Sequence, residues 1–141
     1  MNTEKSLNHY LSRVYRKSML YLQHKVDQEE IGLGQIICLN EIYKQEGLNQ
    51  EHLATNLSVD KATIARAIKH LEKNGYIYRQ RNENDKRAYE IYLTEKGKAE
   101  YNNIYEFFDE LEAILSANLT DLEKNILINL LEKVCSHPDM N

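Results

Sequence analysis

The sequence predicts a mainly α-helical fold with one small β-hairpin, and three observations support this. The 141 residues include only five glycines and one proline, so long stretches contain no helix-breaking residue. Apolar residues recur at three- and four-residue steps through most of the chain, which is the period of an amphipathic helix. Between residues 76 and 93 the period changes to two, which is typical of strands.

The composition is that of one ordinary soluble domain, spanning residues 1–141. Hydrophobic residues make up 42% of the chain and charged residues 28%, which is enough to bury a core without disulfides. The beginning of the chain lacks the apolar run of a signal peptide, and no window is apolar over the length of a membrane span. We therefore expect a cytoplasmic protein with no membrane partner. Cys38 and Cys135 form no CxxC motif, in agreement with a reducing compartment.

The two ends of the chain are predicted to be long helices. Stretches without glycine or proline cover 1–31 and 98–137. In the second, Thr120 and Glu123 form the capping-box pattern that begins a last helix. Both stretches have apolar residues on two adjacent faces, more than a small middle region can cover. We expect a homodimerisation region built from both ends, with an intramolecular core as the alternative.

The middle of the chain has the pattern of a helix-turn-helix followed by a hairpin. Helices are predicted over 35–46, 50–57 and 61–74, and the last two are joined by a short turn, which is the helix-turn-helix signature. The side chains that cap these two helices are Asn49 and Asp60, and the glycines that close the first and third helices are Gly47 and Gly75. Strands over 76–81 and 88–93 then flank a charged tip.

The net charge of −4 conceals a basic segment. Residues 61–98 carry ten Lys or Arg against five acidic residues, a balance of +5, whereas 1–60 carry −2 and 99–141 carry −7. A basic helix and hairpin within an acidic scaffold is the electrostatic pattern of a DNA-binding module. The reason is that neutralising phosphates and releasing their counterions supplies most non-specific affinity.

The predicted helix 61–74 has an apolar and a basic face. Ile64, Ile68 and Leu71 recur at helical spacing and are expected to point into the core. The other face is basic, with small residues at its beginning that allow close approach to base edges in the major groove. The residues expected to contact DNA are Lys61, Ala62, Thr63, Arg66, Lys69, His70 and Lys73. The alternative is a solvated helix face.

The hairpin tip holds Asp85, Lys86 and Arg87. An arginine at such a tip fits the adjacent minor groove, where narrow A·T-rich DNA concentrates negative potential. Asp85 is predicted to hold either the guanidinium of Arg87 or a backbone N–H of the tip, and so to preorganise the wing. The alternative is an ordinary polar turn.

The ordered set of motifs resembles the multiple-antibiotic-resistance regulator (MarR) family of winged-helix transcription factors. The similar segments are LNQEHLA at 48–54, ATIARAIKHLEKNGYI at 62–77, DKRA at 85–88 and LTEKG at 93–97. The resemblance implies a winged helix-turn-helix lobe over 33–97, with 61–74 as the recognition helix and 76–93 as the wing. It also implies a dimerisation region that combines 1–31 with 98–137.

The resemblance further implies a homodimer that binds a palindromic operator in double-stranded DNA and represses transcription. The helix at 61–74 would enter the major groove, where Thr63 and Arg66 match positions that touch DNA in the family. Asp85 and Arg87 match the wing residues that secure the minor-groove contact.

Two kinds of regulation are known in the family. Many members release DNA when a small aromatic ligand binds between the dimer helices and the DNA lobe. The residues on elements that would border such a crevice are Tyr15, Met19, Tyr21 and Tyr43, for which core packing is the alternative. One branch of the family senses oxidants through a cysteine near the start of the first long helix. This sequence has none there, and Cys38 stands at a position where the family pattern has an aliphatic residue, so the resemblance implies a small core residue. A cysteine-based redox-sensing regulator stays an alternative function.

The sequence shows no pattern of an enzyme or a metal site. Its five histidines are scattered, and it contains no HExxH, GxSxG or phosphate-binding loop. We expect no enzymatic activity, no cofactor and no metal. The competing functional class is a winged-helix lobe that contacts other proteins, since DNA binding requires the basic residues to be exposed together on one face.

Overall fold

The computed structural model describes residues 5–27, 29–85 and 87–140, which form seven α-helices and a two-stranded antiparallel sheet. The elements are α1 (Leu7–Val26), α2 (Leu33–Lys44), α3 (Gln50–Leu57), α4 (Lys61–Lys73), β1 (Ile77–Arg81), β2 (Tyr89–Leu93), α5 (Glu95–Ala99), α6 (Tyr101–Ser116) and α7 (Asp121–Cys135), followed by a 3-10 helix at Pro138–Met140. The predicted class, mainly α-helical with one hairpin, is confirmed. In the part of the chain that is described, no helix has both the length and the hydrophobicity that crossing a bilayer requires.

The chain forms two compact units, Met1–Phe108 and Asp109–Asn141. The first unit contains the helix-turn-helix and the hairpin, and its core is formed chiefly by α2, α3, α4 and the two strands. The second unit contains the end of α6 and all of α7. No residue of α7 is buried, so this helix has no core of its own.

The inner face of α4 supplies the centre of the core in the first unit. Ile64, Ile68 and Leu71 are at most 1% exposed, as predicted, and Ala67 is buried beside them. Full burial of one such aliphatic side chain stabilises a fold by about 1.5–3 kcal/mol. The other fully buried large side chains are Leu22, Ile36, Leu39, Ile42, Leu53, Ile77 and Ile91.

The turn between α3 and α4 is closed by backbone hydrogen bonds. The N–H of Ser58 donates to the carbonyl of Thr55 at 3.2 Å, and the N–H of Val59 donates to the carbonyl of Ala54 at 3.0 Å. Ser58 has a φ of +52°, so α3 ends in a Schellman motif with serine at the left-handed position. This reversal directs the chain into α4 within three residues.

Helix α2 differs from its predicted bounds. It begins at Leu33 and ends at Lys44, with Gln45 rather than Gly47 at its C-cap, so the prediction of 35–46 was displaced by two residues. The prediction treated Gly34 as a helix breaker, but a single glycine near a helix start is tolerated when the following residues pack. Gly32 instead occupies the N-cap position.

Gly97 is the glycine that the packing of the first unit requires. A Cβ at this position would overlap the carbonyl oxygen of Tyr76 and contact Leu93 at 3.4 Å. Gly97→Ala is therefore expected to lower the free energy of unfolding by about 3 kcal/mol. Gly34→Ala is the matched control, because nothing lies within 4 Å of a Cβ there, and alanine is expected to raise that free energy by about 0.5–1 kcal/mol. Urea unfolding monitored by circular dichroism measures both, and equal effects would contradict the assignment.

Candidate nucleic-acid interface

The outer face of α4 is exposed and basic. All seven residues of this helix that the sequence predicted as DNA contacts are exposed to solvent, whereas Ile64 and Ile68 are buried. The seven are Lys61, Ala62, Thr63, Arg66, Lys69, His70 and Lys73. The helix has one buried and one exposed face, because its buried residues recur with the helical period. These residues are Ile64, Ala67, Ile68 and Leu71. One element therefore anchors the core and presents the cationic side chains together.

A chain of hydrogen bonds organises the first turn of α4. Asp60 caps the helix, with Oδ1 accepting the N–H of Thr63 at 2.9 Å and Oδ2 accepting the Thr63 hydroxyl at 2.6 Å. Nη2 of Arg66 then donates to Oγ1 of Thr63 at 3.2 Å. The hydrogen bonds from Thr63 hold the pKa of Asp60 below its ordinary value. Asp60 thus stays charged and orients Thr63 and Arg66, the two residues expected to meet base edges.

Lys61 forms an exposed ion pair with Glu51 of α3. The Nζ–Oε1 distance is 3.0 Å, and the two side chains are 77% and 70% exposed. Pairs this exposed contribute little net stability, so the lysine can exchange Glu51 for a phosphate at small cost.

The wing tip is ordered by Asp85 and Asn82. Oδ1 of Asp85 accepts the backbone N–H of Arg87 at 3.0 Å, and its carbonyl accepts the N–H of Ala88 at 3.1 Å. Oδ1 of Asn82 accepts the N–H of Asn84 at 2.8 Å. Of the two predicted roles for Asp85, the structure shows the backbone contact. Lys86, also predicted as a DNA contact, lies outside the described residues.

The wing tip and the start of α3 border one cleft of about 370 Å³. Arg87 lines it from the wing, and Gln50 and Glu51 line it from α3. Glu51 also holds Lys61, so the wing tip, the start of α3 and the first residue of α4 adjoin each other. The fold thus brings Lys61 of the helix and Arg87 of the wing close to Glu51. The sequence alone did not predict that these two residues are neighbours.

Sequence reasoning missed the structural importance of Arg79 and Arg81. Both were counted only as positive charges of the basic segment. Nε and Nη2 of Arg81 donate to the Tyr89 hydroxyl at 3.3 and 3.2 Å, and the two residues are cross-strand partners. The strand period of two was the available signal, since it places Arg79 and Arg81 on one face of the hairpin.

The residues expected to border an aromatic-ligand crevice have different surroundings. Tyr15 is 65% exposed on α1, whereas Met19 and Tyr21 are half-buried on the same helix. Tyr43 donates its hydroxyl to the carbonyl of Gly97 and meets the Tyr101 ring edge-on, with centroids 4.9 Å apart. Tyr43 therefore has the contacts of a structural residue. Ligand binding by this set stays a prediction.

Cys38 is a core residue, as the family resemblance implied. It is 2% exposed, and burial raises the pKa of its thiol to about 11. A thiol held protonated in this way is a poor nucleophile toward oxidants. Cys135 is exposed near the end of α7. Within residues 5–27, 29–85 and 87–140, no three His, Cys, Asp or Glu side chains are placed to hold a metal ion.

A helix-turn-helix with an exposed basic second helix, followed by a hairpin with an ordered cationic tip, defines a winged helix-turn-helix protein. The model of the MarR family matches residues 31–89, and the similarity to known regulators extends over most of the chain. The chain belongs to the MarR family of transcriptional regulators. The resemblance predicted from the motifs is confirmed, as is the prediction that the protein is not an enzyme.

Three relatives illustrate the similarity. The HTH-type transcriptional regulator BilQ of Clostridium symbiosum is 30% identical over 126 residues, which cover 89% of this chain and 88% of BilQ. A MarR transcriptional regulator from Methanosarcina mazei is 37% identical, with a TM-score of 0.80 and coverage of 91% and 92% of the two chains. A putative MarR family regulator from Listeria monocytogenes, solved with 26mer DNA, is 32% identical, with a TM-score of 0.87 and coverage of 92% and 87%.

The cap of α4 gives a testable pH dependence. Because the folded state lowers the pKa of Asp60, its stabilisation is present above the unfolded value near 4 and is lost as the pH falls through the folded value. Asp60→Ala is expected to lower the melting temperature at pH 7 and to converge with the wild type toward pH 2. Asp109→Ala, which removes an exposed carboxylate without removing a cap, is the control. A difference in melting temperature that persists unchanged at pH 2 would contradict the argument.

Proposed function

We propose that this protein is a sequence-specific DNA-binding regulator that represses transcription as a homodimer on a palindromic operator. The observation that carries the proposal is the exposed basic face of α4 beside a wing tip in which Asp85 accepts the backbone N–H of Arg87. The structure of the Listeria monocytogenes relative with 26mer DNA supports it. A cytoplasmic location belongs to the same proposal, since the regulator must reach chromosomal DNA.

The geometry of α4 suggests a division of roles along the helix. Thr63 and Arg66 lie in its first turns, where a recognition helix meets base edges in the major groove. Lys69 and Lys73 lie farther along the same exposed face and are suited to phosphates. Arg87 at the wing tip is suited to the minor groove. Phosphate contacts would supply most of the affinity, and the base contacts would determine the sequence preference.

Homodimerisation is supported by the apolar surface that each unit leaves uncovered. In α7, Leu122, Ile126 and Leu130 recur at four-residue steps and are 69%, 48% and 51% exposed. In α1, Leu7 and Leu11 are 62% and 37% exposed. A second copy of the chain is the partner that family membership favours. A two-fold dimer presents two α4 helices to successive major grooves, which accounts for a palindromic operator.

A lobe used only for protein contacts is the competing function. It would not require an arginine held at the wing tip or a helix face made of cations and small residues. DNA binding itself distinguishes this competing function from the proposed one.

An aromatic effector that releases the operator must bind one arrangement of the two lobes more tightly than the other. The favoured arrangement must be the one that does not fit the operator.

Arg87→Ala is expected to weaken binding to most duplexes by about tenfold and to reduce the salt dependence, on logarithmic axes, by about one unit per protomer. The measurement is fluorescence anisotropy on a duplex that the wild type selects from a random-sequence pool, at several salt concentrations. Arg16→Ala on α1 is the control, because it removes the same charge from an element with no predicted DNA contact. Wild type that fails to bind any duplex at low salt would refute the proposed function.

The double change Ile126→Asp and Leu130→Asp is expected to convert the dimer into a monomer, because it places charges within the exposed apolar stripe of α7. Affinity for a palindromic duplex should fall by about 100-fold or more, since two linked contacts become one. Sedimentation equilibrium measures the mass. Asn125→Asp with Asn129→Asp adds the same charge on the same helix and is the control. A variant that remains dimeric would place the interface elsewhere.

A further inference from the structure

The outer half of the wing has no apolar anchor. At its base Ile77 and Leu93 are 2% and 8% exposed, and at its middle Ile91, the cross-strand partner of Arg79, is 0% exposed; all three belong to the core. Beyond Ile77 every residue of β1 is exposed. A two-stranded hairpin is marginally stable by itself, so burial fixes the wing as far as the Arg79–Ile91 pair but not the direction of the part beyond it. Polar contacts must hold the part that carries Arg87.

Arg79 supplies such contacts to two helices at once. Its Nε and Nη2 donate to the two carboxylate oxygens of Glu72 on α4, each at 3.1 Å. Its Nη1 donates to Oε1 of Gln50 at the start of α3, at 3.4 Å. A planar guanidinium bound through both edges has little freedom to rotate. The contact with Glu72 raises the pKa of Arg79 further above its ordinary value.

Tyr89 extends this arrangement to the second strand. The Arg79 guanidinium lies 5.5 Å from the centre of the Tyr89 ring, and that of Arg81 lies 5.6 Å from it. Tyr89 and Gln50 also line the cleft that Arg87 borders. The contacts of Arg79 therefore lie directly behind the wing tip, between it and the last turns of α4.

We propose that Arg79, Glu72, Gln50 and Tyr89 form a positioning clamp that sets the direction of the wing relative to α4. Arg87 and the first turns of α4 must enter different grooves at once, and the clamp holds them at the spacing this requires. The inference rests on the proposed DNA binding. Glu72 and Arg79 are positioning residues in it, because their charged groups hydrogen-bond to each other.

The direction in which one charge-removing substitution changes DNA affinity distinguishes the clamp from a purely electrostatic effect. Glu72→Gln removes a negative charge from the basic face, and without a clamp it would tighten DNA binding. With the clamp it is expected to weaken binding by about fivefold, because the wing loses its fixed direction. Arg79→Lys keeps the charge but loses the two-edged contact, and a similar loss is expected from it. Both are measured on the selected duplex described above.

A double-mutant cycle tests whether the pair acts as one unit. Glu72→Gln with Arg79→Gln is expected to bind within about twofold of Arg79→Gln alone, because the second change removes a partner that is already lost. If Arg79 instead contacts phosphate, Arg79→Gln weakens binding, Glu72→Gln tightens it and the two effects add. Additive effects of opposite sign would overturn the clamp.

Two further measurements report on the wing itself. Hydroxyl-radical footprints of Glu72→Gln should lose protection in the minor groove while major-groove protection by α4, probed with dimethyl sulfate, persists. Arg87→Ala should cost at most about twofold in the Glu72→Gln background, against about tenfold in the wild type. Unchanged footprints and an undiminished effect of Arg87→Ala would overturn the clamp. Failure of the wild type to bind DNA is a separate outcome, and it would refute the proposed function.

Discussion

The burial of one face of α4 is the constraint on which the rest of the lobe depends. Ile64, Ile68 and Leu71 are nearly inaccessible to solvent, and each contributes on the order of 2 kcal/mol through burial. A helix held this way cannot rotate about its axis without exposing that surface. The opposite face, with its cations and small residues, is therefore presented to solvent from a fixed backbone, and the position of Arg66 on the helix follows from the packing of Ile68.

Outside the buried core, hydrogen bonds to charged groups order the exposed segments of the lobe. The first turn of α4 is ordered by Asp60, the wing tip by Asp85 and the outer strands by the contacts of Arg79 with Glu72. In the DNA-binding face that we propose, these acidic residues oppose binding by their charge. The proposal accounts for them because each one fixes a backbone or cationic group that would otherwise have to be ordered during binding.

The two units differ in how much of their apolar surface is buried. In the first, the helix-turn-helix and the base of the wing bury nearly all of their large aliphatic side chains, whereas much of α1 remains exposed. In the second, α7 buries no residue, although its capping box of Thr120 and Glu123 forms as predicted. Local signals thus suffice to begin and end a helix, whereas its apolar stripe stays uncovered among the described residues of this chain.

The sequence by itself determined the order of the elements from α2 to β2, the inward and outward faces of α4, the caps at Asn49, Asp60 and Thr120, and the basic segment, but it did not separate α5 from α6. These are local properties of period, charge and side-chain chemistry. Only the tertiary structure decided that Asp85 holds a backbone N–H and that Tyr43 bonds to Gly97. It also decided that Arg79 joins β1 to both helices of the helix-turn-helix. The Arg79–Glu72 contact joins residues 7 positions apart, and the Tyr43–Gly97 contact joins residues 54 positions apart. Which side chains meet over such separations depends on how the elements pack.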